Sequence, residues 1–374
     1  MREHRTWRRW LAMVALLVLV AAGCTGDDDD GADAPDNGDG PSDTIELIQN
    51  GESLLTQVRD AGVVRCGVND AVPGFGFVDE DGEFSGFDID YCRAIAAAVL
   101  GDADAVEYIP LTAPQRFTAL QGGEIDVLVR NTTWTATRDG AEGADFTLTT
   151  FYDGQGMMVR ADSGFDSIDD MDGTSVCVLS GTTTELNLAT QFNARGLSYE
   201  PLSFDDNDTL RESFIAGQCD GWTSDRSQLA ALRAAHPDAD GGPDDLLILD
   251  DVMSKEPLGP AVPGGDQAWF DAVNWTVIVT IAAEEFGITS DNIDEFMDSD
   301  DPAIQRLLGL PGGGEDDAVF DPGLDLDTDF AVNVISQVGN YGEIFERNVA
   351  PLGLQRNEND LWTNGGLLYA PPYV

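Results

Sequence analysis

The sequence predicts an α/β protein of two three-layer lobes, joined by a hinge and separated by a ligand cleft. The chain has 374 residues, which is too many for one simple core. Strand-like and helix-like segments alternate along it, a pattern typical of layered α/β lobes. The same order of segments occurs twice in series, so we expect two similar lobes with a cleft between them.

The N-terminus has the pattern of a bacterial lipoprotein signal peptide. Arg8 and Arg9 precede an apolar stretch over residues 10–22, and Gly23-Cys24 follow. That stretch is well short of the roughly 20 residues that a spanning helix needs. We therefore expect residues 1–23 to be removed and Cys24 to become the lipid-carrying first residue. The two arginines leave a twin-arginine export route open.

Residues 24–52 are rich in Asp, Gly, Pro and Ser and are expected to form a disordered acidic tether to the membrane. The whole chain carries 69 acidic and 19 basic side chains, a net charge of −50, and Lys255 is its only lysine. This charge repels nucleic acid, so we expect no nucleic-acid partner.

The first alternating unit begins with Ser53, which can cap a helix that Gly62 ends. Predicted strands over 63–68, 106–109 and 125–129 alternate with predicted helices over 89–99 and 117–121. The second unit repeats this order with strands over 175–179 and 199–202, helices over 184–195 and 209–216, and a run over 217–223 that enters a third strand. We expect lobe 1 to comprise residues 53–154 and 257–374, and lobe 2 to comprise residues 155–256.

Four further cysteines stand in the mature chain: Cys66, Cys92, Cys177 and Cys219. An even number of cysteines in an oxidising compartment predicts two disulfide bonds. Three pairings are possible from the count alone.

Several motifs together resemble the polar amino-acid-binding proteins of ABC importers, and within them the general L-amino-acid-binding subfamily. The motifs are GFDID at 86–90, RFTALQGGEID at 116–126, RNTTWT at 130–135, FYDGQG at 151–156, GTTTELN at 181–187, SKEPLGPA at 254–261, and two C-terminal runs at 337–347 and 361–367. The resemblance extends from about Leu54 to the C-terminus. It implies the type II periplasmic-binding-protein fold, ABC-transporter permeases as partners, a monomer, and no cofactor or metal.

The resemblance also implies a ligand site. Arg138 takes the place of the arginine that binds the ligand carboxylate through parallel charge-assisted hydrogen bonds. Asn131 and Thr133 match the loop that precedes it. In lobe 2, Thr183 can offer its backbone N–H and its hydroxyl to the carboxylate, and Asp225 matches the acid that binds the α-ammonium group.

Two further residues are candidates for contacting the ligand side chain. Arg130 either points into the cleft, where it would favour acidic or amide side chains, or pairs with a surface acid. Many relatives place an aromatic wall ahead of a Pro-Phe pair, where this chain has Val72, so Phe75 or Phe77 is the candidate for part of that wall. The lack of a fixed aromatic stack suits a broad range of ligands.

Closure of such a cleft requires the lobes to move relative to each other, and a bond between the lobes would lock them. We therefore expect each disulfide bond to lie within one lobe, pairing Cys66 with Cys92 and Cys177 with Cys219.

The leading functional hypothesis is a lipid-anchored receptor outside the cytoplasmic membrane that delivers L-amino acids to an importer. Two alternatives remain: a dehydratase of the same fold, and an amino-acid sensor that docks on a membrane receptor. Only His236 would remain as a histidine in the mature chain. A catalytic triad with histidine or a zinc site is therefore not expected, and we predict no enzymatic activity.

Overall fold

The computed structural model describes residues 52–314 and 318–374. The predicted signal peptide, Cys24 and tether residues 24–51 lie outside the described residues. No helix within the described ranges is long and apolar enough to cross a membrane.

The first part of the chain builds most of the strands of lobe 1. Its elements are α1 (Leu54–Ala61), β1 (Val64–Val68), β2 (Ala71–Val72), β3 (Gly76–Val78), β4 (Phe84–Ser85), α2 (Phe87–Leu100), β5 (Val106–Pro110), α3 (Arg116–Gln121), β6 (Val127–Leu128), α4 (Ala136–Gly140), β7 (Ala144–Phe146) and β8 (Phe151–Asp153). As predicted, the Ser53 side chain caps α1 by accepting a hydrogen bond from the backbone of Leu55, and Gly62 ends it with a left-handed φ of 70°.

Lobe 2 follows as one continuous segment. Its elements are β9 (Gln155–Arg160), β10 (Thr174–Leu179), α5 (Thr183–Arg195), β11 (Tyr199–Phe204), α6 (Asn207–Ile215), β12 (Gly221–Asp225), α7 (Arg226–Ala234) and β13 (Leu246–Ile248). The chain then returns through β14 (Glu256–Leu258), β15 (Ala261–Pro263), α8 (Gln267–Phe286), α9 (Pro302–Leu308), α10 (Phe330–Gln337) and α11 (Tyr341–Asn348).

The two main sheets have equivalent strand orders, β5-β1-β6-β15-β7 in lobe 1 and β11-β10-β12-β9-β13 in lobe 2. In each sheet the first three strands are parallel, as the alternation of strands and helices predicts. The fourth strand of each sheet is antiparallel to the third. Each fourth strand, β15 or β9, follows a passage of the chain from the other sheet, so the alternation of strands and helices within a lobe does not predict its direction.

Each sheet has apolar side chains packed on both faces, so both lobes are three-layered. In β10, Val176 and Val178 belong to one buried cluster, while Cys177 and Leu179 belong to another. Alternate residues of a strand point to opposite faces of its sheet. Helices cover both faces, and the fold is therefore the predicted pair of α/β lobes.

The chain passes between the two sheets through β8 and β14, which pair with each other as a two-stranded antiparallel ribbon. Residues near the C-terminus support this ribbon. Asn359 accepts a hydrogen bond from the backbone N–H of Tyr152 at 2.6 Å and donates one to its carbonyl at 3.0 Å. The Tyr341 hydroxyl donates to the Thr150 carbonyl at 2.9 Å.

Both disulfide bonds are present in the predicted pairing. Cys66 in β1 is bonded to Cys92 in α2, and Cys177 in β10 is bonded to Cys219, two residues before β12. Each bond therefore joins elements of the same lobe and leaves the ribbon between the lobes unconstrained.

Candidate functional site

A small cavity of about 20 Å³ lies between the lobes. It is lined by Arg116, Arg130, Asn131 and Thr133 from lobe 1 and by Leu179, Thr182, Thr183, Thr184, Ser224, Asp225 and Gln228 from lobe 2. Most of these residues follow the carboxyl ends of strands β6 and β10 or end strand β12. Open α/β sheets bind ligands at that edge.

Five of the seven predicted ligand-binding residues meet at this cavity: Arg130, Asn131, Thr133, Thr183 and Asp225. The remaining two do not line it. Phe75 is buried in the core of lobe 1, where its ring packs edge-on against Phe151 at 5.3 Å. Arg138 lies behind Thr133 and donates a hydrogen bond from Nη1 to the Thr133 carbonyl at 2.8 Å.

The lobes contact each other directly across the cavity. Arg116 donates from Nη2 to the Gly181 carbonyl at 3.2 Å, and Asn131 donates from Nδ2 to Asp225 and to Gln228, each at 3.2 Å. The cavity volume is close to that of about one water molecule. A ligand of amino-acid size therefore enters only when the lobes separate or these side chains reorient.

Asn131 is held in an uncommon backbone conformation at the centre of the site. Its φ of 29° lies in the left-handed region, which asparagine tolerates better than most residues. The Asp88 carboxylate accepts the Asn131 backbone N–H at 2.7 Å, and Asn69 donates to the Asn131 side-chain oxygen at 3.2 Å. These bonds fix the side-chain amide so that it points across the cleft to lobe 2.

Burial raises the pKa of Asp88 to about 7, although the Asn131 N–H and the charge of Arg130 both favour the carboxylate. Asp88, which accepts the Asn131 backbone N–H, therefore changes its protonation state near neutral pH.

Lobe 1 contributes three buried arginines: Arg116, Arg130 and Arg138, each at most 5% exposed. None of them forms a salt bridge with an acid in the described residues. Arg130 donates from Nε to the Leu111 carbonyl at 2.7 Å, so it points into the cleft and does not pair with a surface acid. Burial is the largest cause that lowers the pKa of each guanidinium.

Arg116 is the site residue that sequence reasoning missed. Its Nε is buried and has no hydrogen-bond partner in the described residues, and burial lowers its pKa well below the usual value. The guanidinium carbons of Arg116 and Arg138 lie 5.3 and 5.2 Å from the centroid of the Phe117 ring. A signal was present: Arg116 begins helix α3, and a cation is unfavourable at a helix N-terminus.

Lobe 2 contributes the acid. Asp225 is 5% exposed, and its only hydrogen-bond partner through the side chain in the described residues is Asn131. Burial and the nearby carboxylates of Asp153 and Glu256 raise its pKa well above the usual value. A cation placed beside Asp225 would relieve both effects. Gln228 follows Asp225 by three residues on α7 and was also missed by sequence reasoning.

Helix α5 begins at the cavity. The Thr182 hydroxyl caps it by accepting the Glu185 backbone N–H, and Gly196 ends it with a φ of 70°. This arrangement directs the first backbone N–H groups of α5, at Thr183 and Thr184, towards the cavity that both residues line. An anionic group is favoured at such a position.

Comparison with known proteins assigns the chain to a family. Residues 64–290 match the bacterial extracellular solute-binding proteins, family 3. The chain belongs to this family. Its C-terminal part, from α9 onward, lies beyond the matched range and includes the residues that support β8.

Similar proteins include the general L-amino acid-binding periplasmic protein AapJ of Rhizobium johnstonii, 49% identical over 323 residues that cover 86% of this chain and 92% of the relative. The glutamate/glutamine/aspartate/asparagine-binding protein BztA of Rhodobacter capsulatus is 46% identical over 325 residues, covering 86% of this chain and 93% of the relative. Both relatives are named as amino-acid-binding proteins.

Among solved structures, this chain is similar to a periplasmic binding protein of an ABC transporter from Brucella ovis with glutathione bound. The TM-score is 0.81 and the identity 44%, with 86% of this chain and 100% of that chain covered.

Proposed function

We propose that this protein is a lipid-anchored receptor that captures L-amino acids outside the cytoplasmic membrane and delivers them to an ABC importer. The observation that carries the proposal is the separation of charge across one cavity. Within the described residues, the arginines that lobe 1 contributes to the site form no salt bridge with an acid, and Asp225 of lobe 2 forms none with a cation. A zwitterion that lies between the lobes satisfies both sides.

In this proposal the α-carboxylate is bound by Arg138 and by the N–H groups that begin α5. Two guanidinium nitrogens of Arg138, Nε and Nη2, make no hydrogen bond with any described residue, so they can form the fork that a carboxylate needs. The α-ammonium group is bound by Asp225. Closure of the lobes then follows from the ligand's contacts with both lobes.

The side-chain preference follows from the other two arginines. Arg116 and Arg130 line the cavity and can donate hydrogen bonds to a second anionic or amide group once the lobes separate, which favours glutamate, aspartate and their amides. BztA, whose name gives these four ligands, and the glutathione-bound protein support this choice, because glutathione carries a γ-glutamyl group with a free α-amino acid head. Without an aromatic wall at Phe75, we propose a broad range of polar ligands.

The anchor rests on the sequence of the N-terminus. Cys24 carries the lipid, residues 24–52 form the tether, and the receptor acts as a monomer with its permease. Incorporation of labelled palmitate in cells tests the anchor: we expect label in the wild-type protein and none in Cys24→Ala. Label in both proteins would contradict it.

Calorimetric titration of the purified protein with the twenty L-amino acids tests the ligand assignment. We expect binding of glutamate, glutamine, aspartate and asparagine, with weaker binding of apolar amino acids. Absence of binding for all twenty would contradict the proposed function.

A further inference from the structure

Glu256 is the most highly coordinated acid in the cleft, and neither the resemblance nor the proposed ligand contacts use it. It begins β14 in the ribbon between the lobes and is 1% exposed. Its Oε2 accepts hydrogen bonds from the hydroxyls of Thr133 at 2.7 Å and Thr183 at 2.8 Å. Its Oε1 accepts from Asn187 at 3.0 Å and from the Ser254 hydroxyl.

These donors come from both lobes. Thr133 is held beside β14 by lobe 1, because Trp134 donates its backbone N–H to the Pro257 carbonyl at 2.8 Å. Thr183 and Asn187 lie one turn apart on α5 of lobe 2 and thus share a helix face. The bonds from Thr183 and Asn187 therefore connect lobe 2 to a strand that continues into lobe 1.

The bonds to Glu256 also settle where the hydroxyl protons lie. An ionised carboxylate only accepts hydrogen bonds, and each threonine hydroxyl has a single proton to donate. Both protons consequently point to Oε2, and the two hydroxyl oxygens, 3.4 Å apart, have no proton left to share with each other. Each oxygen presents only lone pairs to the rest of the cavity.

We infer that Glu256 is a positioning residue that turns Thr133 and Thr183 into acceptors for the ligand's α-ammonium group. An ammonium group has three N–H donors, and the cavity then offers three acceptors on its lining: Asp225 and the two threonine hydroxyls. This inference rests on the proposed function. It reverses the expectation that the Thr183 hydroxyl donates to the ligand carboxylate and leaves that role to the backbone N–H.

The variant Glu256→Gln tests the inference, because glutamine keeps the size of the side chain and loses the second acceptor oxygen. We expect glutamate and glutamine to bind about tenfold to a hundredfold more weakly, the range for a charged hydrogen-bonding group. Glu343→Gln is the matched control. Glu343 also accepts several hydrogen bonds, from Ser290 and Asn340, but lies away from the cleft in α11, so binding should be unchanged.

A second pair of variants separates positioning from a merely structural role. Thr183→Val removes the hydroxyl and should weaken binding, whereas Thr183→Ser restores it. The double variant with Thr183→Val and Glu256→Gln should lose less ligand-binding free energy than the two single variants lose in total, because both substitutions remove the same hydrogen bond. These threonine variants keep the test decisive if Glu256→Gln does not fold, as judged by circular dichroism.

The outcomes distinguish the inference from the function on which it rests. If the wild-type protein binds none of the twenty amino acids, the proposed function fails. If the wild-type protein binds glutamate and glutamine, but Glu256→Gln or Thr183→Val binds them equally well, the function stands and the role of Glu256 is refuted.

Discussion

Lobe 1 and lobe 2 share a strand order but differ in how they are stabilised and in what they bring to the cleft. Lobe 1 is built from two segments of the chain and has a large core that includes Phe87, Phe151, Tyr341 and Phe345. Lobe 2 is one segment with two smaller apolar clusters, one on each face of its sheet. The C-terminal helices add to the core of lobe 1, and Tyr341 in one of them also supports the ribbon between the lobes.

The chemical difference follows the same division. Lobe 1 supplies buried arginines, whose desolvation must be offset by hydrogen bonds and by charged partners. Lobe 2 supplies Asp225, hydroxyl groups and the first N–H groups of α5. In the proposed function neither lobe alone binds both ends of a zwitterion, so ligand binding and closure would be one process.

The largest expected effect is on the cationic side. Arg138→Ala should weaken glutamate binding by ~2–5 kcal/mol, because the ligand carboxylate loses its charged partner in a desolvated cleft. Calorimetry measures the loss. Arg93→Ala is the control, since Arg93 pairs with exposed Asp104 on the same lobe at 3.0 Å, and its variant should bind normally. Unchanged affinity for glutamate in Arg138→Ala would show that Arg138 does not bind the ligand carboxylate.

The next largest loss of binding is expected when the acidic residue of lobe 2, Asp225, is changed. Asp225→Asn should weaken binding by about 1.5–3 kcal/mol, because the ammonium group loses a charged acceptor while the shape of the site is kept. Asp172→Asn, an exposed site on the same lobe whose carboxylate accepts from Ser198, should bind as the wild type does. Equal affinities in calorimetry for Asp225→Asn and Asp172→Asn would show that lobe 2 does not supply the charge.

A pH effect should appear on lobe 1 through Asp88. Its pKa is about 7 in the folded protein against a usual 3.8, so the folded state binds more protons between these values. The contribution of Asp88 to the free energy of unfolding therefore falls as pH rises from about 4 to 7, by up to about 1.4 kcal/mol per pH unit. The variant Asp88→Asn lacks this contribution to the pH dependence of the free energy of unfolding.

Urea unfolding of the wild type and Asp88→Asn at several pH values measures the difference. We expect the stability of the wild type relative to the variant to decrease across this window and to level off above it. A constant difference would mean that Asp88 titrates normally.

The smallest expected effect concerns the support of the ribbon. Asn359→Ala removes both hydrogen bonds to the backbone of Tyr152 and should lower the free energy of unfolding by about 1–3 kcal/mol. Asn364→Ala removes an exposed hydrogen bond to Asp360 instead and should change little. Thermal unfolding of both variants makes the comparison. Equal melting temperatures would show that the C-terminal residues do not brace β8.

Much of the fold was predictable because local signals and tertiary packing agree. The capped helix α1, the strand β10 and the two disulfide bonds follow from caps, periodicity and the requirement that the lobes move. The antiparallel fourth strands were not predictable from alternation, since β15 and β9 enter their sheets from the passages between lobes and pair with strands distant in sequence.

The ligand site, like the fold, could be predicted only in part from the sequence. Asn131, Thr133 and Thr183 lie in motifs that carry the resemblance, Asp225 was predicted as the match to the family's acid, and all four line the cavity. Arg116 lies in another quoted motif, but nothing in its neighbours shows that helix α3 directs it into the cleft. Phe75 was proposed from its place near Val72, whereas packing against Phe87 and Phe151 buries it in the core.

The central claim is that one ligand must carry both charges to join the lobes. Calorimetric titration of the purified protein with L-glutamate, glutarate and 4-aminobutyrate tests it directly, because glutarate lacks the ammonium group and 4-aminobutyrate lacks the α-carboxylate. We predict binding of L-glutamate and no measurable binding of the other two. Binding of either analogue with the affinity of L-glutamate would contradict the claim.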